Sequence, residues 1–236
     1  DFYFSSSDKT SEYLKYYGAE GDRIYKYHFT SLFDLDVLAS VVQPEEKKKI
    51  REYMHLCSQK MILGVGQFIH RKGFDILLKA VKKVKTDVDV VIIGGEITEE
   101  YRTLVNELNL KNVHFVSEIS KEILSDYYRA ADIFVLPTRE DIWGLVINEA
   151  MAKGLPIITT DQCIAGLELI EDSKNGYIVK TEDEDQLAEK INILLDNQQT
   201  CIDMGSCNLQ KIRDYTLEEM AKEHYEVFCR RNYGKQ

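Results

Sequence analysis

The sequence lacks any apolar run approaching the roughly 18 residues that a membrane-spanning helix needs, and it lacks the basic start and apolar stretch of a secretion signal. It opens DFYFSSSDKT, without methionine, and is read as a piece of a longer protein. Positive charge is in short supply: 30 Lys and Arg face 40 Asp and Glu, for a net charge of −10. That balance argues against a nucleic-acid binder, which carries a basic footprint. Five cysteines, at 57, 163, 201, 207 and 229, form no CxxC pair. Zinc and disulfide frameworks are therefore not expected, and reduced thiols in a cytosolic compartment are. No solenoid repeat, low-complexity tract or cluster of metal ligands is visible. Neither G-x-x-x-x-G-K-[ST] nor G-x-G-x-x-G occurs, so the two standard nucleotide fingerprints are missing.

What is present is a globular composition, 44% hydrophobic and 30% charged over 236 residues. From residue 60 onward strand and helix patterns alternate. MILGVGQ, VDVVIIGG, VHFV, DIFVLP, LPIITT and YIV read as strands. They are short, apolar throughout and rich in β-branched residues, as strands buried on both faces of a parallel sheet are. Between them GFDILLKAVKKVK, TEEYRTLVNELNL, SKEILSDYYRAA (with Ser120 as N-cap), GLVINEAMAKG and GLELIED read as helices. Three more helices follow, at DEDQLAEKINILLDN, 199–213 and LEEMAKEHYEVFCRR. The repetition predicts a doubly wound α/β domain of about six strands. Residues 1–59 hold at most one β-α-β unit, too little for a core of its own, and then a charged helix opened by Pro44.

Ligands of an open parallel sheet bind where strand carboxyl ends meet helix N-termini, and three such turns carry unusual residues. In GVGQFIHRKG (64–73), Gly64 and Gly66 allow close backbone approach, while His70, Arg71 and Lys72 place positive charge beside a helix start. A solvated basic turn remains the alternative. In IIGGEIT (92–98), Gly94 and Gly95 mark a turn, or keep side chains away from a ligand over the sheet edge. In TREDIWGLVINEAMAKGLPIITT (138–160) a helix is expected to start near Gly144. The N–H groups of Gly144, Leu145 and Val146 then face an incoming anion. Glu149, in the second helical turn, leans toward the same mouth, where its carboxylate can accept two hydroxyls of a ribose diol. The alternative is that Glu140 and Asp141 merely cap the helix and complement its dipole.

Taken together, GVGQFIHRKGFDILLKA, VVIIGGE, VHFVSEIS, YYRAADIFVLPTREDIWGLVINEAMAKGLPIITT and GLELIEDSKNGYIV resemble the C-terminal, donor-binding domain of family 4 retaining glycosyltransferases. The resemblance implies the Rossmann-like C-terminal half of a GT-B fold. It divides the chain into a remnant of the preceding N-terminal domain (1–40), a linker helix (41–59), the donor-binding domain (60–213) and a C-terminal helix (214–236). The family motif E-G-F-G-L-x-x-x-E falls on Asp141, Ile142, Trp143, Gly144, Leu145 and Glu149. Asp141 takes the place of the acid that contacts the donor sugar, one methylene shorter, with Glu140 one position out of register. Glu149 matches the acid that binds the nucleotide ribose. In the family's G-R-L-x-x-x-K-G, Lys72 matches the lysine on the diphosphate, while Gln67 stands where the arginine should be and Arg71 is expected to compensate. Val116 to Ile119 matches the loop whose backbone contacts the nucleobase; Gly66 and Gly95 complete the expected donor site.

The resemblance further implies a nucleotide-sugar substrate such as a UDP- or GDP-sugar, no metal and no cofactor. The acceptor site would lie mainly in the missing N-terminal domain, so the fragment should bind donor but transfer little. Polysaccharide biosynthesis, a cytoplasmic location at the inner face of the membrane and a peripheral membrane contact of the full-length protein are expected with it. Two competitors stay open. A sugar-nucleotide 2-epimerase of the same fold would turn over UDP-GlcNAc without an acceptor. A non-catalytic nucleotide-binding module would have no need of acids and bases at three separate turns.

Overall fold

A computed structural model describes residues 2–233, so residue 1 of the expected N-terminal remnant and residues 234–236 of the expected C-terminal helix lie outside the described residues. The chain opens with the β-α-β unit: β1 (Tyr3–Ser5), α1 (Asp8–Tyr16) and β2 (Ile24–Lys26), the two strands pairing in parallel. Ser7 caps α1 by accepting from the Thr10 N–H at 3.0 Å. The helix buries none of its residues.

Then come α2 (Pro44–Tyr53), β3 (Met61–Val65), α3 (Phe74–Val81), β4 (Asp89–Ile93), α4 (Glu99–Glu107), β5 (Val113–Val116), α5 (Lys121–Ala130), β6 (Ile133–Leu136), α6 (Leu145–Ala152), β7 (Ile157–Thr160), α7 (Ile164–Leu169) and β8 (Gly176–Val179). Ser120 caps α5 as the sequence predicts. The six strands β3 to β8 form one parallel sheet in the order β5-β4-β3-β6-β7-β8. Successive side chains of a strand point to opposite faces, and here each face has its own core. Met61, Leu63, Val91, Phe134, Leu136 and Ile157 enter one. Ile62, Val90, Ile92, Ile133, Val135 and Ile158 enter the other. Burial on both faces explains the uninterrupted apolar strands. The winding direction changes between β3 and β6, which opens the ligand crevice of such sheets at their carboxyl ends.

The helix expected as a linker is docked. α2 packs on α5, and its Lys47 and Arg51 are buried at 7% and 4% exposure. Lys47 donates to the Ala131 carbonyl at 2.7 Å and Arg51 to that of Ala130 at 2.6 Å, so two cations satisfy the carboxyl end of α5. Burial lowers the Lys47 pKa.

The last helices are α8 (Glu184–Asp196), α9 (Gln198–Ile212) and α10 (Leu217–Tyr233). α10 does not stay with the sheet domain. It runs back to the β-α-β unit, where Phe4 stacks on His224 at 4.1 Å between centroids and meets Phe228 edge-on at 5.9 Å. Glu223 accepts from the His28 backbone N–H at 2.9 Å. Nothing in the pattern of 217–231 alone names that partner. No helix among the described residues is long and apolar enough to cross a membrane.

Candidate functional site

The basic turn is built against the sheet edge. Gly66, at φ +154°, leads out of β3 and donates its N–H to the Ile93 carbonyl at 2.8 Å. A Cβ on Gly94 would collide with the Gly66 carbonyl, so the two strand ends touch at a pair of glycines. The crowding thus falls on Gly94; the expected Gly95 has open space around it and needs glycine only for its φ of +80°. Gln67 is exposed. His70, Arg71 and Lys72 form one 3-10 turn, closed by Gly73 at φ +69°. A Cβ on Gly73 would strike the Pro137 carbonyl, which presses the turn onto the end of β6.

Arg139, which the sequence reading passes over, clamps this junction. Its N–H donates to the Arg71 carbonyl at 2.8 Å and one Nη to the His70 carbonyl at 2.6 Å. Its two Nη atoms each reach a different oxygen of Asp75 at 2.8 Å, and Glu182 closes on it from the other side. Burial would raise the Asp75 pKa, but the Arg139 hydrogen bonds and charge outweigh it and hold the group below the usual carboxylate range. In sequence Arg139 is one more charged residue in a loop; its partners lie 64 and 43 residues away.

Asp141 meets the turn directly. Lys72 Nζ lies 2.6 Å from its Oδ2 and Arg71 Nη1 3.5 Å from its Oδ1, with Asp141 only 8% exposed. Arg71 also donates to the Glu140 carbonyl at 2.8 Å. The capping alternative is not what the structure shows: Gly144, at φ +97°, is the N-cap of α6, with no side-chain cap bond. The Glu140 side chain is exposed. Leu145 and Val146 open α6 half-buried, and as its first residues their N–H groups have no carbonyl one turn back within the helix.

Trp143 departs from its expected place. Its indole is buried, donates from Nε1 to Asn148 Oδ1 at 2.9 Å and packs edge-on against Phe29 at 5.3 Å. A large apolar ring beside the core is better buried than left over a polar mouth, so only the backbone of Trp143 remains for a ligand. Ile142 does the opposite: at 86% exposure it lines, with Asp141, Gln162, Lys9 and Tyr13, an open cavity of about 350 Å³ to which α1 contributes one wall.

Glu149 faces a separate cavity of about 630 Å³, which it shares with Ile119, Lys121, Tyr128, Lys153, Leu35 and Asp36. The Tyr128 hydroxyl donates to Glu149 Oε2 at 2.8 Å. Burial raises the Glu149 pKa, and that hydrogen bond opposes the rise. Val116 is half-buried with its side chain against the core and its carbonyl accepting from the Gly94 N–H at 3.1 Å. The structure therefore brings Arg71, Lys72, Asp141 and the amino end of α6 together, and separately Ile119 with Glu149. It adds Arg139, Tyr128, Lys121 and Lys153, for which only three-dimensional proximity is a signal.

Comparison with known proteins bears on this arrangement. Residues 45–209 match the family described as Glycosyl transferases group 1. A glycosyltransferase of Haemophilus influenzae is 31% identical over 170 residues, covering 70% of this chain and 47% of that protein. A D-inositol 3-phosphate glycosyltransferase of Xylanimonas cellulosilytica is 27% identical over 201 residues, covering 81% of this chain and 47% of its own. The chain thus spans about half the length of the curated relatives it matches. Among solved structures, sucrose-phosphate synthase from Thermosynechococcus elongatus superposes with a TM-score of 0.82 at 23% identity, covering 99% of this chain and 58% of that one. Anabaena HepE in complex with UDP superposes with a TM-score of 0.83 at 19% identity, covering 97% and 63%.

Proposed function

Since the chain belongs to the Glycosyl transferases group 1 family and has the doubly wound sheet of GT-B enzymes, we propose that it is the donor-binding part of a retaining glycosyltransferase. The whole enzyme would move a sugar from a nucleoside-diphosphate sugar to a glycan, lipid-linked or other acceptor. The observation that carries this reading is the convergence of Lys72, Arg71 and Asp141 on the amino end of α6, at the switch point between β3 and β6. An ammonium has three protons, and Lys72 spends one on Asp141. The others, with Arg71 and the N–H groups of Leu145 and Val146, suit a diphosphate. Stabilising the departing nucleoside diphosphate would then be the main catalytic contribution of this half. Asp141 would hold donor-sugar hydroxyls, and Glu149, in its own cavity, the ribose. UDP is bound by HepE, one of the structural neighbours, and serves as the first ligand to try. Cytoplasmic work and a peripheral membrane contact of the full-length protein go with the reading.

Calorimetry with UDP, GDP and ADP and their nucleosides tests it. At least one diphosphate should bind about tenfold or more tightly than its nucleoside, the scale of charge-assisted hydrogen bonds. Binding of none of them, or equal binding of diphosphate and nucleoside, would overturn the proposal.

A further inference from the structure

Tyr128 has no part in the reading above, yet it touches Glu149, the acid of the second cavity assigned to the ribose. It sits on α5 with 2% exposure, its ring 5.8 Å from that of Phe134, and its hydroxyl reaches Glu149 Oε2 at 2.8 Å. The cations facing Glu149 are engaged elsewhere. Lys153 Nζ donates to the Asp36 carbonyl at 2.6 Å, and Lys121 Nζ to the Asp36 carboxylate at 3.0 Å. Lys121, Lys153 and Asp36, with Tyr128, are the charged and titratable groups that act on Glu149. Among the described residues, its recorded hydrogen-bond partner is thus a neutral hydroxyl, not a cation.

We propose that Tyr128 is a positioning residue: it fixes one oxygen of the Glu149 carboxylate so that the other, still charged, accepts the hydroxyls of a nucleotide ribose. The inference rests on the donor-binding reading and adds the residue that sets its geometry. A phenol has one proton to donate, and from this buried ring it is given to Oε2, so the bond favours one orientation of the carboxylate. A lysine in the same place would neutralise the acid and compete with the ligand for its lone pairs. The phenol has no such effect, because its own pKa, driven well above 10 by burial beside Glu149, keeps it a donor. Orienting a group before the ligand arrives removes an ordering cost from binding.

The test is Tyr128→Phe, which deletes one oxygen and keeps the ring. Calorimetry compares UDP with 2′,3′-dideoxyuridine diphosphate, which lacks the ribose hydroxyls. UDP affinity should fall about three- to tenfold, the span of one hydrogen bond, and the dideoxy affinity should stay within about twofold. A residue that merely supports the fold would weaken both ligands alike; equal losses, or unchanged UDP binding, overturn the inference. A measurement without any substitution guards against misfolding of the variant: the Tyr128 hydroxyl proton, followed by NMR, should remain hydrogen-bonded when UDP saturates the chain. Its release on binding also overturns the inference. If the unmutated chain binds none of UDP, GDP and ADP, the donor-binding reading fails and takes this inference with it; if GDP or ADP is the diphosphate that binds, it and its 2′,3′-dideoxy analogue take the place of the uridine pair. Binding by the unmutated chain, with an unselective loss in Tyr128→Phe, sinks this inference alone.

Discussion

Asp141 and Glu149 stand eight residues apart at the two ends of one motif, and the regions around them are built on opposite plans. The turn against Asp141 is crowded and charged, and the cavity beside it is the smaller, about 350 Å³. Two strand-end glycines touch, Gly73 is pressed on Pro137, Arg139 ties the turn to Asp75, and Lys72 and Arg71 both face the acid. Around Glu149 there is space, about 630 Å³, and the nearest donor is a neutral phenol. A charged, inflexible turn is suited to a compact, highly charged group such as a diphosphate. A roomier cavity with one half-engaged carboxylate is suited to a ribose and its base. The difference teaches that two similar acids in one motif need not share a role, because their partners decide what each has left to offer.

The largest expected effect probes the crowding itself. Gly73→Ala puts a Cβ into the Pro137 carbonyl at a φ of +69°. The strained backbone and the collision together should cost about 2–4 kcal/mol of stability. Gly95→Ala, at φ +80° but in open space, should cost only about 1 kcal/mol. Urea denaturation of both measures the contrast. Equal losses would mean that the basic turn is no more rigid than the neighbouring one.

Charge and space can next be separated by ligand. Lys72→Ala should weaken UDP by about 1.5–3 kcal/mol and leave uridine nearly unchanged, because the lost partner is a phosphate. Glu149→Ala should weaken UDP and uridine alike by about 1.5–3 kcal/mol, because the ribose is common to both. If Lys72→Ala costs uridine as much as UDP, or Glu149→Ala costs neither, the two regions have been assigned to the wrong halves of the nucleotide.

How far this contrast is legible in the sequence follows from the range of the interactions. The strands are, since burial on both faces leaves a local apolar run such as VVIIGG, and the Ser120 cap acts over three residues. The glycine turns and the Asp141–Glu149 spacing are local too. Arg139, Tyr128 and the packing of α10 on β1 are not. Arg139 acts on Asp75 64 residues back, Tyr128 on Glu149 21 residues ahead, and Phe228 on Phe4 across nearly the whole chain. Trp143 shows the limit even of a matched motif. Its position falls on a family site, but the side chain is claimed by Phe29 and Asn148, and the neighbouring Ile142 points outward in its place. Lys47 and Arg51 are the same lesson in a helix that reads as a charged surface: two cations are buried because the carboxyl end of α5 needs donors there.

The smallest expected effect on affinity is at Asp141, and its sign is informative. Asp141→Asn removes the counter-charge that holds Lys72 at 2.6 Å and Arg71 at 3.5 Å. If Asp141 bound the nucleotide, UDP affinity would fall. If it only faces the donor sugar, the freed cations should bind UDP as well as before or up to about threefold better, since less charge competes with the phosphates. Stability should drop by about 1–3 kcal/mol, because the nearly buried ammonium of Lys72 loses its ion partner. Turnover in the full-length enzyme should fall much further than affinity changes, because contacts to the sugar matter most where the glycosidic bond is breaking. Glu140→Gln, whose side chain is exposed, should alter none of these. Calorimetry, urea denaturation and turnover on both variants decide it. A large loss of UDP affinity in Asp141→Asn, or full turnover, would show that the acid beside Lys72 does not contact the sugar.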